Sequence, residues 1–265
     1  MDIKIADSWA SLQSYLFHDA WNNGLLRFRS PYAFRGLSDA TYQLDTTLKR
    51  LGGDFVALEH HLMRNFKKYA HRDVVSSDSF WHWVSVAQHH GLPTRLLDWT
   101  HSPLIAMHFA TANMDKYHLD GAIWCLNYEK AHHYLHDTLR KELLQEGANT
   151  FTTEMLDRAS GTLQQFSSIA PCPMLLFFEP PSMDDRIVNQ FALFSVMSDS
   201  AISIEDWLVE YPHLCRKIII PAKLKWEIRD KLDQCNVTER VIFPGLDGLS
   251  RWLHRHYSQN NESLT

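Results

Sequence analysis

Apolar residues recur at three- and four-residue steps in several parts of the chain, and this spacing predicts amphipathic helices. The third such segment opens at Asp78 or Ser79 and closes at Gly91, a residue type that commonly follows a helix. Pro93 then prevents the helix from simply continuing. The predicted helices cover residues 7–21, 55–69, 79–90, 102–110, 129–146, 153–168, 223–234 and 246–257.

Short continuous apolar runs, bounded by turn-forming residues, predict buried strands. One of them, Pro31 to Gly36, is expected to end in a glycine turn, and Gly121 to Tyr128 is expected to be buried on both faces. The polar residues from Asp184 to Gln190 predict a turn or a short helix that leads into a strand. The predicted strands cover residues 31–36, 121–128, 174–178, 191–196, 216–221 and 240–243.

Helices and strands are interleaved without strict β-α-β alternation, and no repeat or shift of composition marks a linker. This arrangement predicts one α+β domain over residues 1–265, with a mixed central sheet and flanking helices. Within it, residues 1–28 are expected to form an N-terminal helical segment and residues 258–265 a frayed tail.

A group of polar residues interrupts the apolar stretch that follows the third helix. Thr94, Arg95, Asp98 and Thr100 lie here, directly before the segment 102–110, which is typical of a buried helix. Burial of such groups is costly unless each has a hydrogen-bond partner. The stretch therefore forms either a structural network of polar side chains that bond one another or the floor of a binding site.

The composition is that of an ordinary globular protein, with 45% hydrophobic and 22% charged residues and a formal net charge of -5. A protein that binds nucleic acid mainly through phosphates would usually be basic. No run reaches the roughly 18 apolar residues of a membrane span, and the N-terminus lacks the pattern of a signal peptide. We therefore expect a cytoplasmic protein with no membrane partner.

The sequence lacks the motifs of several common catalytic sites. It contains no H-E-x-x-H, no G-x-S-x-G and no G-x-x-x-x-G-K. His132 and His136 have helical spacing and could hold a metal, but their charged surroundings favour a solvated helix face. No metal site is predicted.

Three arginines in apolar surroundings, Arg35, Arg95 and Arg186, are the remaining candidates for chemistry. A guanidinium at a strand end, beside a glycine that lets backbone approach, suits a phosphate or a carboxylate. The alternative for Arg35 is a buried ion pair with a residue such as Asp98. Arg95 and Asp98 are three residues apart, so they are expected to meet on one turn and satisfy each other.

Several motifs together resemble the FRG domain family, which is bacterial and is named for a Phe-Arg-Gly triplet. They are FRG at residues 34–36, AQHHGLPTRLLDWT at 87–100, SP at 102–103 and FA at 109–110. The later Arg186…Gln190…Phe194 and the run IFPGLDGL at 242–249 also look like that family. The resemblance covers an FRG core of about residues 30–250, and the family name implies no reaction.

Three of the same segments are similar, in the same order, to motifs of ADP-ribosyltransferases: FRG at 34–36, HFA at 108–110 and NQFALF at 189–194. In that family a first strand ending in Arg-Gly or His-Gly holds NAD, and a middle segment opens a helix. A late strand delivers a catalytic glutamate. The resemblance implies an ADP-ribosyltransferase-like fold and an enzyme that uses NAD as its substrate.

The resemblance also implies roles for individual residues. Arg35 would grip the pyrophosphate or ribose of NAD beside Gly36, and Gln190 would contact the nicotinamide ribose, which makes Arg35 and Gln190 the predicted catalytic pair. Further NAD-binding positions would be Thr94, Thr100, Phe109 and Phe191, and positions with a substrate or structural role would be His89, Arg95, Asp98 and Arg186.

Gln190 departs from the family pattern because it stands where a glutamate would be. A carboxylate would stabilise the oxocarbenium-like charge that develops when nicotinamide leaves, whereas a neutral amide gives less electrostatic help. Either another acid serves, or the reaction is slow, or the fold is used only for binding. The other candidate acids are Asp98, Glu179, Asp184 and Asp185.

We therefore expect an ADP-ribosyltransferase-like enzyme, a bacterial toxin or anti-phage defence effector, with a protein or nucleic acid as acceptor and its oligomeric state left open. One alternative is a non-catalytic module that binds a nucleotide or a partner, in which Arg35, Arg95 and Asp98 form a buried network. A second alternative is a metal-independent nuclease that uses His89 or His90 with Arg95.

Overall fold

The computed structural model describes residues 1–70 and 79–259. The strands in these residues are β1 (Asp2–Ile5), β2 (Trp21–Asn22), β3 (Arg27–Phe28), β4 (Tyr32–Leu37), β5 (Leu96–Thr100), β6 (Gly121–Asn127), β7 (Leu175–Phe178), β8 (Ala192–Met197) and β9 (Cys215–Ile220).

Seven of the strands form one sheet in the order β1-β9-β6-β4-β5-β8-β7. Strand β1 pairs with β9 in parallel, and every other neighbouring pair is antiparallel. The two remaining strands, β2 and β3, form a separate hairpin. The predicted α+β class with a mixed central sheet is thereby confirmed.

Helices flank the sheet, as predicted, and most begin at a side-chain cap. They are α1 (Trp9–Leu16), α2 (Phe55–Tyr69), α3 (Phe80–His89), α4 (Pro103–Thr111), α5 (Tyr128–His132), α6 (Asp137–Glu146), α7 (Thr153–Ala159), α8 (Leu163–Ser168), α9 (Asp185–Asn189), α10 (Ile204–Glu210), α11 (Lys225–Gln234), α12 (Glu239–Ile242) and α13 (Leu246–His256).

Side chains alternate between the two faces of the sheet along each strand, so each face has its own hydrophobic contacts. The two faces are covered differently. On the first face, one hydrophobic cluster joins residues of six strands, including Trp99 and Trp124, to α5 and α10. On the second face the core is divided. One cluster, with Phe34 and Met107, lies under α1, α4 and α11, and another, with Phe194, lies under α3, α7 and α8. The gap between these two clusters leaves the middle of the sheet open.

Two predicted helices are each divided in the structure. The segment 129–146 forms α5 and α6, because His136 caps a new helix by accepting a hydrogen bond from the backbone N–H of Thr138. The segment 153–168 forms α7 and α8, because Thr162 caps the second of them after Gly161. The predicted strand at 240–243 is wrong, since these residues belong to the short helix α12 and its C-terminal end.

Some elements were not predicted from the sequence. They are β1, the β2–β3 hairpin, β5 and α10. Strand β1 is short and lies at the sheet edge with Ile3 and Ile5 exposed, so it lacks the apolar run that marks a buried strand. Asp78 and most of the predicted frayed tail lie outside the described residues. Within the described ranges, no helix is long and apolar enough to cross a membrane.

Candidate functional site

A cleft of about 640 Å³ opens on the second face of the sheet, over β4, β5 and β8. It lies between the two hydrophobic clusters of that face, with Phe34 from one cluster and Phe194 from the other among its lining residues. The polar and charged lining residues are Arg35, Gln88, His89, His90, Asp98, Thr100, Arg186 and Gln190. The cleft therefore brings together residues from six different elements.

Strands β4 and β5 part from each other at the floor of the cleft. They share a single Cα pair, Phe34 with Thr100, whereas β4 pairs with β6 at six positions. Arg35 bridges the gap, because its Nη1 donates to the backbone carbonyl of Asp98 at 2.5 Å. This bond replaces a hydrogen bond that the sheet ladder would otherwise supply.

The half-buried Arg35 guanidinium has few hydrogen-bond partners. Its Nε is buried and has no hydrogen-bond partner among the described residues. Burial lowers the pKa of the guanidinium, an effect that the negative charge of Asp98 opposes. The sequence suggested an ion pair between Arg35 and Asp98 as one alternative. The two residues are in contact, but Arg35 binds the backbone carbonyl of Asp98 and not its carboxylate.

Helix α4 crosses directly over Gly36. A Cβ atom at this position would lie 1.9 Å from the carbonyl oxygen of Ala106 and 2.6 Å from the nitrogen of Ala110. This close approach is the reason that the position requires glycine. It also brings Phe109 of α4 to the wall of the cleft, where its ring makes an edge contact with Phe243 at 6.2 Å between centroids.

Asp98 is the exposed residue in the buried strand β5. Its Oδ2 accepts a hydrogen bond of 2.9 Å from Nε2 of Gln88, at the C-terminal end of α3. The Gln88 Oε1 accepts in turn from the hydroxyl of Thr94 at 2.5 Å. Thr94 is buried and does not line the cleft, so it contributes to the site through Gln88 and not through direct contact.

Gln190 follows the last residue of α9 and lies two residues before β8, so it belongs to the short helical turn that the polar pattern predicts and not to a strand, as the resemblance implied. Its backbone carbonyl accepts from the Thr100 hydroxyl at 2.7 Å, and its side-chain Nε2 donates to the carbonyl of Ile242 at 3.3 Å. Thr100 and Gln190 both line the cleft. Phe191 does not: its backbone turns with a φ of +47°, and its side chain is 60% exposed outside the lining.

His89 and Asp184 form a pair at the mouth of the cleft, with 2.7 Å between the His89 Nε2 and the Asp184 Oδ2. Burial lowers the pKa of His89, although the Asp184 carboxylate acts in the opposite direction. Burial alone would raise the pKa of Asp184, but the backbone N–H of Ile187 and the contact with His89 bring it below its usual value. The exposed Arg186 lies beside this pair, with its guanidinium 5.3 Å from the ring centroid of Phe243.

Arg95 does not pair with Asp98, so that prediction is wrong. Its Nε donates to both carboxylate oxygens of Glu59, at 2.7 Å and 3.0 Å, and its Nη2 donates to the same carboxylate. The remaining donor, Nη1, bonds the hydroxyl of Ser167 at 3.0 Å and the carbonyl of Ser198 at 3.2 Å. Arg95 is therefore a buried structural residue that does not line the cleft.

Sequence reasoning gave no role to Gln88, although it lies inside the 14-residue motif between Ala87 and Thr100. A polar residue in the last turn of a helix whose preceding residues are buried was the available signal. A second buried network was also missed: Arg229 donates to Nδ1 of His108 at 2.7 Å, and Arg255 pairs with Glu239 at 2.7 Å.

The two histidines considered for a metal occupy separate elements. His132 is buried in α5, where its Nδ1 lies 3.0 Å from the carbonyl of Asn149 and its Nε2 accepts from the N–H of Phe177. His136 is the N-cap of α6. Over the described ranges, no group of three or more His, Cys, Asp or Glu residues is arranged to hold a metal ion.

The sequence model of the FRG domain matches residues 30–118, about a third of the chain. This confirms the predicted resemblance for the stretch that carries β4, α3, β5 and α4, which form one side of the cleft. The segments at 186–194 and 242–249 lie outside the match, so their assignment to the family stays a prediction. Neither a curated protein nor a solved structure matches the chain.

Proposed function

We propose that the cleft of this FRG-domain protein binds NAD and that the protein cleaves its nicotinamide–ribose bond, in the manner of ADP-ribosyltransferases. The observation that carries the proposal is the meeting of Arg35, Phe109 and Gln190 in one cleft. These residues come from three segments far apart in the chain, and the resemblance to ADP-ribosyltransferases implies a role in NAD binding for each of them.

The chemistry of the lining suits a dinucleotide. NAD carries an anionic pyrophosphate, for which guanidinium groups are the preferred partners, and Arg35 and Arg186 supply two of them. The nicotinamide ring is flat, and the exposed part of Phe109 offers it an aromatic surface. A volume of several hundred Å³ is in the usual range for a small-molecule site.

Gln190 has a supporting role in this proposal. Its Nε2 is engaged with the Ile242 carbonyl, which fixes the side-chain amide and leaves Oε1 to accept from a ribose hydroxyl. The amide carries no charge, so it orients the sugar without stabilising a cation. The acceptor of the ADP-ribosyl group, and the role of a bacterial toxin or anti-phage effector, belong to the same proposal.

A second candidate is a module that binds a nucleotide without chemistry, and the neutral Gln190 favours it. The nuclease alternative loses one of its two residues, because Arg95 is buried against Glu59. Binding and turnover of NAD separate the first two functions. An enzyme releases nicotinamide, whereas a binding module gives a titration curve and no product.

The test is a calorimetric titration of the wild-type protein with NAD and ADP-ribose, together with an assay of nicotinamide release. We expect binding, and stabilisation against heat by about 2.7 kcal/mol at a ligand concentration of 100 Kd. Arg186→Gln is expected to weaken NAD binding about 10-fold or more, since it removes a charged hydrogen-bond donor. Arg158→Gln is the matched control, because Arg158 is exposed and does not line the cleft. Absence of binding at millimolar ligand would refute the proposal.

A further inference from the structure

We propose that the carboxylate of Asp98 stabilises the ribosyl cation when nicotinamide leaves, the role that a glutamate at the position of Gln190 has in ADP-ribosyltransferases. This inference rests on the proposed function, and it identifies the residue that provides the negative charge that Gln190 lacks. Among the described lining residues of the cleft, Asp98 is the only carboxylate.

Strand alternation places the Asp98 side chain over the cleft. Leu97 and Trp99, its neighbours in β5, belong to the hydrophobic cluster of the first face, so Asp98 points to the second face. It is paired in register with Phe194 of β8, which also lines the cleft. The gap between the two clusters of this face explains why a charged side chain is exposed in the middle of a sheet.

A directed chain of hydrogen bonds holds the carboxylate. The backbone N–H of Leu96 donates to Oγ1 of Thr94 at 3.1 Å, so the Thr94 hydroxyl is oriented to donate onward to Oε1 of Gln88. That contact fixes the Gln88 amide with its NH₂ group towards Asp98, where it donates to Oδ2. Three residues are thus arranged to present one acceptor, which is the requirement for a preorganised carboxylate.

The other acids named by the sequence are engaged elsewhere. Glu179 lies 3.4 Å from His101 and accepts from Thr150, and it does not line the cleft. Asp184 caps α9 and is bonded to His89. Asp185 lines a neighbouring groove and not the cleft itself.

The step balances without a further reactant. The bond between the ribose C1′ and the nicotinamide nitrogen breaks, and its electron pair stays on that nitrogen, so nicotinamide leaves as a neutral molecule. The positive charge passes from the pyridinium ring to the ribose C1′ and its ring oxygen, where the Asp98 carboxylate opposes it. A water or acceptor hydroxyl then forms the new bond to C1′ and loses its proton to solvent.

The experiment compares Asp98→Asn with Asp230→Asn, a control that removes the same charge from an exposed residue of α11, which lines neither the cleft nor the groove beside it. For Asp98→Asn we expect nicotinamide release to fall by about 10²–10³-fold, the usual effect of losing one electrostatic group from a reaction centre. NAD affinity is expected to stay within about 3-fold of wild type, because the charge acts on the transition state and not on ground-state binding. Asp230→Asn should release nicotinamide at the wild-type rate.

Three outcomes separate the two proposals. If the wild-type protein releases nicotinamide and Asp98→Asn does so equally well, the assignment of Asp98 is wrong and the proposed function stands. If wild type binds NAD but releases nothing, the chemistry fails and with it this inference. Loss of NAD binding or of thermal stability in Asp98→Asn would show a structural role for Asp98 and would also overturn the inference.

Discussion

The ion pair between Arg95 and Glu59 is among the most buried charge pairs that the structure describes, with side chains 7% and 6% exposed. Glu59 lies in α2, and Arg95 immediately precedes β5. A buried carboxylate and guanidinium are tolerated together because each satisfies the other, and the removal of one leaves an uncompensated charge. The pair fastens α2 to the central sheet.

Replacement of Arg95 by Met is therefore expected to destabilise the protein by about 3–5 kcal/mol, because Glu59 would keep its buried charge without a partner. The measurement is the free energy of unfolding in urea at neutral pH. Arg158→Met is the control: Arg158 bonds Glu142 and Glu146 but is 49% exposed, so the expected loss is about 1 kcal/mol or less. If both variants lost the same free energy of unfolding, burial would not be what determines the contribution of the Arg95–Glu59 pair to stability.

The partner of Arg95 could not have been found from spacing alone. Residues three apart meet on a helical turn, which is the reason the sequence suggested Asp98. In an extended chain, residues an odd number apart point to opposite faces, so Arg95 and Asp98 separate as soon as the segment becomes a strand. The sequence predicted that these polar groups need partners, but Glu59 is reached only through the tertiary fold.

At the scale of elements, β4 and α4 approach most closely at Gly36, the only glycine of residues 30–118 at which a Cβ atom would meet another heavy atom within 4 Å. Gly36 faces backbone atoms of α4 and not flexible side chains, so a methyl group cannot be accommodated by rotation of a neighbour. The glycine of the FRG triplet thus allows α4 to pack directly against the backbone of β4. The sequence placed it correctly near a strand end, but predicted a turn where β4 continues to Leu37.

Gly36→Ala is expected to cost about 1–3 kcal/mol of stability or more, since the helix must move to admit the methyl group. Gly161→Ala is a suitable comparison, because a Cβ there would approach no nearer than 3.5 Å to its neighbours. Thermal unfolding of both variants measures the effect. A Gly36→Ala protein as stable as Gly161→Ala would indicate that α4 can shift without cost.

Element prediction succeeded where the apolar pattern was long, as in α11, α13 and β6. It failed where the decisive feature was a single polar cap, as at the division of α5 from α6 by His136. It also failed for β5, whose apolar and polar residues alternate only from Leu97 to Thr100, a run too short to distinguish a strand from a loop. A pattern of burial predicts which residues are interior, but not which gap in the interior is left open.

At the scale of the whole molecule, two buried histidines link stability to pH. Burial lowers the pKa of His132 to about 4 and that of His108 to about 3. Both are neutral in the folded protein, and protonation of His132 would remove the acceptor that its Nε2 offers to Phe177. The unfolded chain, with histidine pKa values near 6.5, takes up protons that the folded protein does not.

Stability is therefore expected to fall as the pH decreases from about 6.5 towards 4, by up to about 1.4 kcal/mol per pH unit for each histidine. Urea unfolding at a series of pH values gives the slope. His132→Asn should reduce it, because the amide does not titrate, whereas the same change at the exposed His61 serves as the control. A slope that is identical in wild type and His132→Asn would show that His132 is not responsible.

Arg35, Phe109 and Gln190, to which the resemblance assigns NAD-binding roles, all line the cleft, and their function as one site stays a prediction. The sequence could not indicate that Phe191 would turn away, which depends on the left-handed backbone at the start of β8. Nor could it rank Asp98 above the other acids, because that choice depends on the division of the second face into two clusters. The order of motifs in the sequence thus predicts which residues lie near one another, but their orientation and exposure depend on tertiary packing.

The order of the strands also has a consequence for translation. A ribosome releases β4 and β5 well before α9 and β8, and the carbonyl of Ile242 that fixes Gln190 emerges later still. A nascent chain that has reached α7 possesses one wall of the cleft and no opposite wall. The first strand, β1, must likewise wait for β9 before it can pair. The complete cleft can therefore form only after Ile242 has been synthesised and has left the ribosome.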